Sequence, residues 1–200
     1  MNPMNTCPEI SIHLQHSKAH LFYRLLSKGF RISFNPGGSI KNLLCKQLGI
    51  EETYATKRIQ TIFLNGKAVD DIKRAIVTDG STLALSAAMP GLAGAVFRSG
   101  GKYSAMRASI SHSNNEERSY AESGLLQLKL FNLVAREIGD AFLHRGILTS
   151  GKDVCDIAEE HTEIFNPPSS ICVDQKKTDV AGLLLSDIKN HVVWLKLLPH

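Results

Sequence analysis

Residues 59–95, IQTIFLNGKAVDDIKRAIVTDGSTLALSAAMPGLAGA, decide how the rest of the chain is read. Ile62 and Leu64 flank Phe63 before Asn65-Gly66, and Leu83 and Leu85 alternate with Ala84 and Ser86 after Asp79-Gly80. Alternation of period two between turn dipeptides predicts two strands, each with one buried face. Both turns have a cause: glycine reaches positive φ at little steric cost, and Asn and Asp tolerate it better than most residues.

Working back from this stretch, Ile10, Ile12 and Leu14 alternate with polar residues and predict a first strand. The segment HLFYRLLSKG after it reads as looser. Phe30, Ile32 and Phe34 predict a second strand ending at Asn35-Pro36-Gly37-Gly38, and Ser39 is placed to cap a helix. Ile40, Leu43, Leu44 and Leu48 form one apolar stripe, closed by Gly49. The predicted order is strand, strand, helix, strand, strand.

That order, together with the Asn-Gly turn, the Asp-Gly turn and the Pro-x-x-x-Gly that follows the last strand, resembles the β-grasp sulfur carriers. These are ubiquitin-like proteins of the thiamin-biosynthesis sulfur carrier and molybdopterin synthase small-subunit type. The resemblance covers residues 8–96. It implies a tail whose terminal diglycine carboxylate is adenylated and converted to a thiocarboxylate. The equivalent tail here is Pro90, Gly91, Leu92, Ala93, Gly94 and Ala95. It keeps the proline and the penultimate glycine, but Ala95 stands where the last glycine belongs. The chain also continues past it, so Ala95 has no free carboxylate.

Residues 97–123 are rich in Ser, Gly, Asn and Arg without a sustained period and read as a linker, with a helix over Glu116–Ser123 as the alternative. Beyond Gly124 the element order recurs. Leu126, Leu128 and Leu130 predict a strand, and Asn132 is placed to cap a helix carrying Val134, Ile138, Ala141 and Phe142 up to Gly146. Ile147-Leu148-Thr149 is a short strand, and Val154, Ile157 and Ala158 share a helical face. Residues 171–199 lie on 62–90 without a gap. Ile171 then meets Ile62, Asp174 meets Asn65, Val192 meets Leu83, Trp194 meets Leu85 and Pro199 meets Pro90.

The fold class expected is therefore α+β, two β-grasp domains in tandem: 8–96, a linker over 97–123, and a second, degenerate copy over 124–200. Trp194 and Phe131 are expected in the core of that second copy.

Composition excludes several functions. No run of about 18 apolar residues suggests a membrane span, and MNPMNTCPEISIHLQ lacks the basic and apolar regions of a secretory signal, so a cytoplasmic location is expected. A net charge of +4, with only Arg98, Lys102 and Arg107 approaching a basic patch, does not indicate nucleic acid. Cys7, Cys45, Cys155 and Cys172 form no CxxC pair, so neither a zinc ribbon nor a thioredoxin-type site is supported.

Other candidates have plainer explanations. His13, His16 and His20 have a spacing that zinc could use, but His13 belongs to a strand, so the three imidazoles are not expected to converge. Asp153, Asp156, Glu159, Glu160, His161 and Glu163 read as the solvated face of a helix. Gly37-Gly38-Ser39 at a helix start is explained by a turn and a cap. No GxSxG, HExxH or GxxxxGK[ST] is present, and no catalytic residue, metal or cofactor is expected.

The function these features favour is a protein-binding or adaptor module on a sulfur-carrier fold without the terminal chemistry. The partner implied is an adenylating activating enzyme or an enzyme of molybdenum or sulfur metabolism, and a homo-oligomer stays open. The alternative is a sulfur carrier released by proteolysis after Gly101, which would expose Gly100-Gly101 as a diglycine end. A second alternative is an enzyme with an unidentified site.

Overall fold

The computed structural model describes residues 7–87, 122–166 and 169–199. The chain is mixed α+β. β1 (Glu9–Leu14) buries Ile10, Ile12 and Leu14, and β2 (Phe30–Phe34) buries Phe30, Ile32 and Phe34, as their alternation predicts. The segment between them, read as loose from the sequence, is helical: a 3₁₀ stretch, His16–Phe22, runs into α1 (Tyr23–Lys28). Its buried residues are Ala19, Phe22, Leu25 and Leu26, which recur at helical spacing, and Gly29 ends it at φ 116°. Gln15 before it makes no side-chain cap, so the usual start signal is missing.

Ser39 does cap, its Oγ accepting from the Asn42 N–H at 3.2 Å. α2 (Ile40–Asn42) continues as a π-helical turn, Leu43–Gln47, burying Ile40, Leu43 and Leu44 while Leu48 stays half-buried. A second π turn, Tyr54–Arg58, leads to β3 (Thr61–Leu64), β4 (Lys67–Ala68) and β5 (Thr82–Ser86). Then come β6 (Gly124–Phe131), α3 (Asn132–Arg145), β7 (Ile147–Ser150), α4 (Gly151–Glu160), β8 (Ser170–Val173), β9 (Lys176–Thr178), α5 (Val180–Leu185) and β10 (Val192–Pro199).

Two compact units account for the chain: Arg31–Val134, and the chain up to Phe30 joined with Ala135 onward. In Arg31–Val134 the strands lie in the order β4-β3-β5-β6-β2. β3 is antiparallel to both β4 and β5, and β5 is parallel to β6. Ile62, Leu64, Leu83, Leu85, Leu128 and Leu130 point to one side and are buried, and Ile40, Leu43 and Leu44 of the helical segment are buried as well. Each such side chain contributes about 1.5–3 kcal/mol. The Asp79-Gly80 turn fastens β6: Asp79 Oδ1 accepts from the Leu125 N–H at 2.7 Å, and the Gly80 N–H donates to the Leu125 carbonyl at 2.9 Å.

In the other unit the order is β7-β10-β1-β8-β9. β1 is parallel to β10 and antiparallel to β8, and β10 is antiparallel to β7. Each unit thus takes a strand from the other half of the sequence, β6 in one and β1 in the other.

The gapless overlay of 171–199 on 62–90 holds for the hairpin. Phe63 pairs with Ala68 and Leu64 with Lys67, while their counterparts Cys172 and Val173 pair with Lys177 and Lys176. Both turns use two left-handed residues, Asn65 (φ 51°) and Gly66 (φ 79°) in one, Asp174 (φ 46°) and Gln175 (φ 66°) in the other.

The overlay fails at the last strand. β5 buries Leu83 and Leu85, but β10 buries Val193, Leu195 and Leu197, leaving Val192 exposed and Trp194 half-buried. A one-residue shift turns every side chain to the opposite face. The neighbours differ as well, because β5 lies beside β3 whereas β1, not β10, lies beside β8. Trp194 and Phe131 are accordingly half-buried instead of fully enclosed, and Phe131 belongs to Arg31–Val134. On α3, Val134, Ala135, Phe142 and Leu143 are buried and Ala141 is exposed.

Candidate docking face

The sheet of Arg31–Val134 has a second side, polar at Thr61, Thr82, Ser86, Gln127 and Lys129 but with apolar residues set among them. Outward positions of a half-buried sheet are expected to be polar. Here they include Phe63 on β3, Ala84 on β5 and Phe131 on β6, all half-buried. Pairing brings them together: Phe63 faces Ala84, and Thr61, Ser86 and Phe131 form the adjoining cross-strand row. With Asn132 they line a depression of about 200 Å³.

Thr61 and Ser86 are 1% and 6% exposed, so the floor carries two polar groups beneath aromatic walls. Asn132, at the junction of β6 and α3, has φ 53°, and its Nδ2 donates to Ser86 Oγ at 3.4 Å. Its side chain therefore serves the rim of this depression, a role beyond the helix start expected from sequence. Left-handed residues other than glycine are uncommon, and Asn is among those that accept the conformation. β5 ends at Ser86, beside the depression. Apolar concavities with a few fixed polar groups are where recognition is concentrated.

The residues Pro90, Gly91, Leu92, Ala93, Gly94 and Ala95, and Gly100 with Gly101, lie outside the described residues, as does most of the 97–123 tract. The three spaced histidines separate: His13 is on β1, the His20 Nδ1 lies 2.7 Å from the Ser17 carbonyl, and His16 turns toward Asp140. The acidic face of α4 makes ion pairs. Asp153 holds Lys28 at 2.7 Å, Glu160 pairs with Arg24, and His161 is 3.5 Å from Glu163. Gly37 and Ser39 form the expected turn and cap, with the Gly37 N–H on the Val77 carbonyl at 2.8 Å.

Cys155, on the buried face of α4, also lines a cleft with Asp156, Glu159 and Lys189. Burial pushes its thiol up from the ordinary range, Asp156 adds to this and Lys189 opposes it. A thiol so held is a poor nucleophile. Among the described residues no helix is long and apolar enough to cross a membrane.

Sequence reading did not single out Phe63, Ala84 and Phe131 as a set. The signal was present, since each is an apolar residue on the side of its strand where polar residues belong.

No family model matches the chain, and no curated protein or solved structure is significantly similar to it.

Proposed function

We propose that this is a sulfur-carrier-like, ubiquitin-like adaptor that binds a partner protein through the outer face of Arg31–Val134. A mixed sheet with a parallel central pair, β5 and β6, and a helical segment between β2 and β3 supports a β-grasp reading of that unit. The observation that carries the binding role is the depression walled by Phe63, Ala84 and Phe131. Aromatic side chains gathered over a concavity are typical binding hot spots. The partner class the resemblance implies is an adenylating activating enzyme or an enzyme of molybdenum or sulfur metabolism.

Release as a true carrier after Gly101 has less support. β6 completes the sheet of Arg31–Val134 and comes from beyond that point, so cutting there would separate β5 covalently from its parallel neighbour.

The test is affinity capture from the native host with the wild-type chain and with a Phe63→Ser, Phe131→Ser variant whose circular dichroism is unchanged. Capture of an activating enzyme or a molybdenum- or sulfur-metabolism enzyme by the wild type alone supports the proposal. Equal capture by both proteins, or no such enzyme with either, refutes it. Intact mass of the protein from the same host separates the carrier reading, which requires a species ending at Gly101.

A further inference from the structure

A polar cleft in the unit that joins the chain up to Phe30 with Ala135 onward has no part in the docking face. Its volume is about 370 Å³, and it opens between a 3₁₀ turn, Thr162–Phe165, and the corner where β9 runs into α5. Asn166 and Ser169 belong to its lining and are tied to each other, the Ser169 N–H donating to the Asn166 carbonyl at 3.1 Å. Thr178 and Asp179 line the corner. One oxygen of Asp179 is engaged, its Oδ1 accepting from the Gly182 N–H at 2.7 Å.

Ser169 breaks the usual rule for buried polar groups. It is 8% exposed, yet its hydroxyl has no hydrogen-bond partner among the described residues. Buried hydroxyls are nearly always satisfied, so this one is completed from the cleft, by water or by a ligand. The side chains of Thr162, Asn166 and Ser170 also line the cleft and likewise have no partner among the described residues.

We propose that this cleft binds a neutral, polyhydroxylated ligand the size of a monosaccharide. Hydroxyl and amide groups both donate and accept, which matches a ligand whose own hydroxyls do the same. The Asp179 carboxylate adds an acceptor. Lys177 is the one cation of the described lining and Asp179 the one anion, so neither a phosphate nor an ammonium ion meets a net opposite charge. Phe165 and Ile171, 9% and 1% exposed, form with Val180 the apolar part against which ring C–H groups can lie. The volume falls at the lower end of the range for small-molecule sites, about 300–1,000 Å³.

Titration of the ¹⁵N-labelled full chain with glucose, galactose, mannose and ribose, followed by amide shifts, tests this, with inorganic phosphate and glycine as ionic comparators. At least one sugar is expected to saturate the shifts of residues 162–181, with a Kd of about 1 mM or tighter. Ser169→Ala should weaken that binding about fivefold. It removes a hydroxyl that no described protein group uses, so the fold is kept. Thr56→Ala, an exposed hydroxyl of the other unit, should leave binding unchanged. Absence of saturable shifts with all four sugars, equal binding of phosphate or glycine, or sugar binding that Ser169→Ala does not weaken overturns the assignment.

Discussion

Asp174 and Glu9 hold each other by a reciprocal pair of hydrogen bonds. The Glu9 N–H donates to Asp174 Oδ1 at 2.8 Å, and the Asp174 N–H donates to the Glu9 carbonyl at 2.9 Å. Asn65 and Thr82 do the same, with the Thr82 N–H on Asn65 Oδ1 at 2.8 Å and the Asn65 N–H on the Thr82 carbonyl at 2.8 Å. Each turn residue therefore pins the first residue of the strand alongside. In one unit that strand is β5, from the same half of the sequence. In the other it is β1, from the opposite half.

If these clamps fix the strand exchange, Asp174→Ala loses both a side-chain acceptor and a residue suited to positive φ. The expected cost is about 1–2 kcal/mol. Asp174→Asn keeps the acceptor and the φ tolerance and should cost much less. Urea denaturation of the two variants compares them directly, and equal losses would remove the clamp from the account.

Gly146 is a second fixed point. It has φ 102°, and a Cβ there would come within 2.4 Å of the Trp194 ring at Cζ2. Gly146→Ala adds both backbone strain and a clash with β10, so a loss of about 1–3 kcal/mol is expected. Thermal denaturation checks it. Gly146→Ala together with Trp194→Leu should recover part of the loss, because the flat ring is the obstacle to be removed.

The pH dependence of Tyr23 follows from its surroundings. Burial, then the hydrogen bond to Asp140 and the charge of that carboxylate, push its pKa up from 10.0 to about 12, with Arg136 opposing. The folded state thus holds this proton more tightly than the unfolded chain does. The contribution is whole below pH 10.0 and is lost as pH rises through about 12. Ultraviolet titration of tyrosinate should show a late step among the four tyrosines, absent in Tyr23→Phe. A Tyr23→Phe profile identical to the wild type would contradict the hydrogen-bonded environment.

Much of the local structure was legible because alternation and turn chemistry are local. Ile10, Ile12 and Leu14, Phe30, Ile32 and Phe34, and Leu126, Leu128 and Leu130 all bury as their spacing requires. The overlay of Asp174 on Asn65 located a turn lacking glycine, since Gln175 takes φ 66° where Gly66 takes 79°. Periodicity states which face of a strand is apolar, however, and not which strand lies beside it. That is why the placement of β1 next to β8, and the one-residue phase change of β10, could not be read. The helix over His16–Lys28 escaped for another reason: its stripe of Ala19, Phe22, Leu25 and Leu26 has no capping residue at Gln15 to announce it. The candidate site was hidden because Phe63, Ala84 and Phe131 become neighbours only once β3, β5 and β6 pair.

Neither half of the sequence completes a unit alone. Residues 1–101 contain β1 to β5 and residues 102–200 contain β6 to β10. Produced separately, each should lack a cooperative unfolding transition, because β6 is missing from one sheet and β1 from the other. Mixed, they should associate and regain the circular dichroism and the unfolding transition of the intact chain. Size-exclusion chromatography with chemical denaturation of the two halves, alone and together, is the most direct measurement. Two halves that each unfold cooperatively by themselves and do not associate would contradict the account.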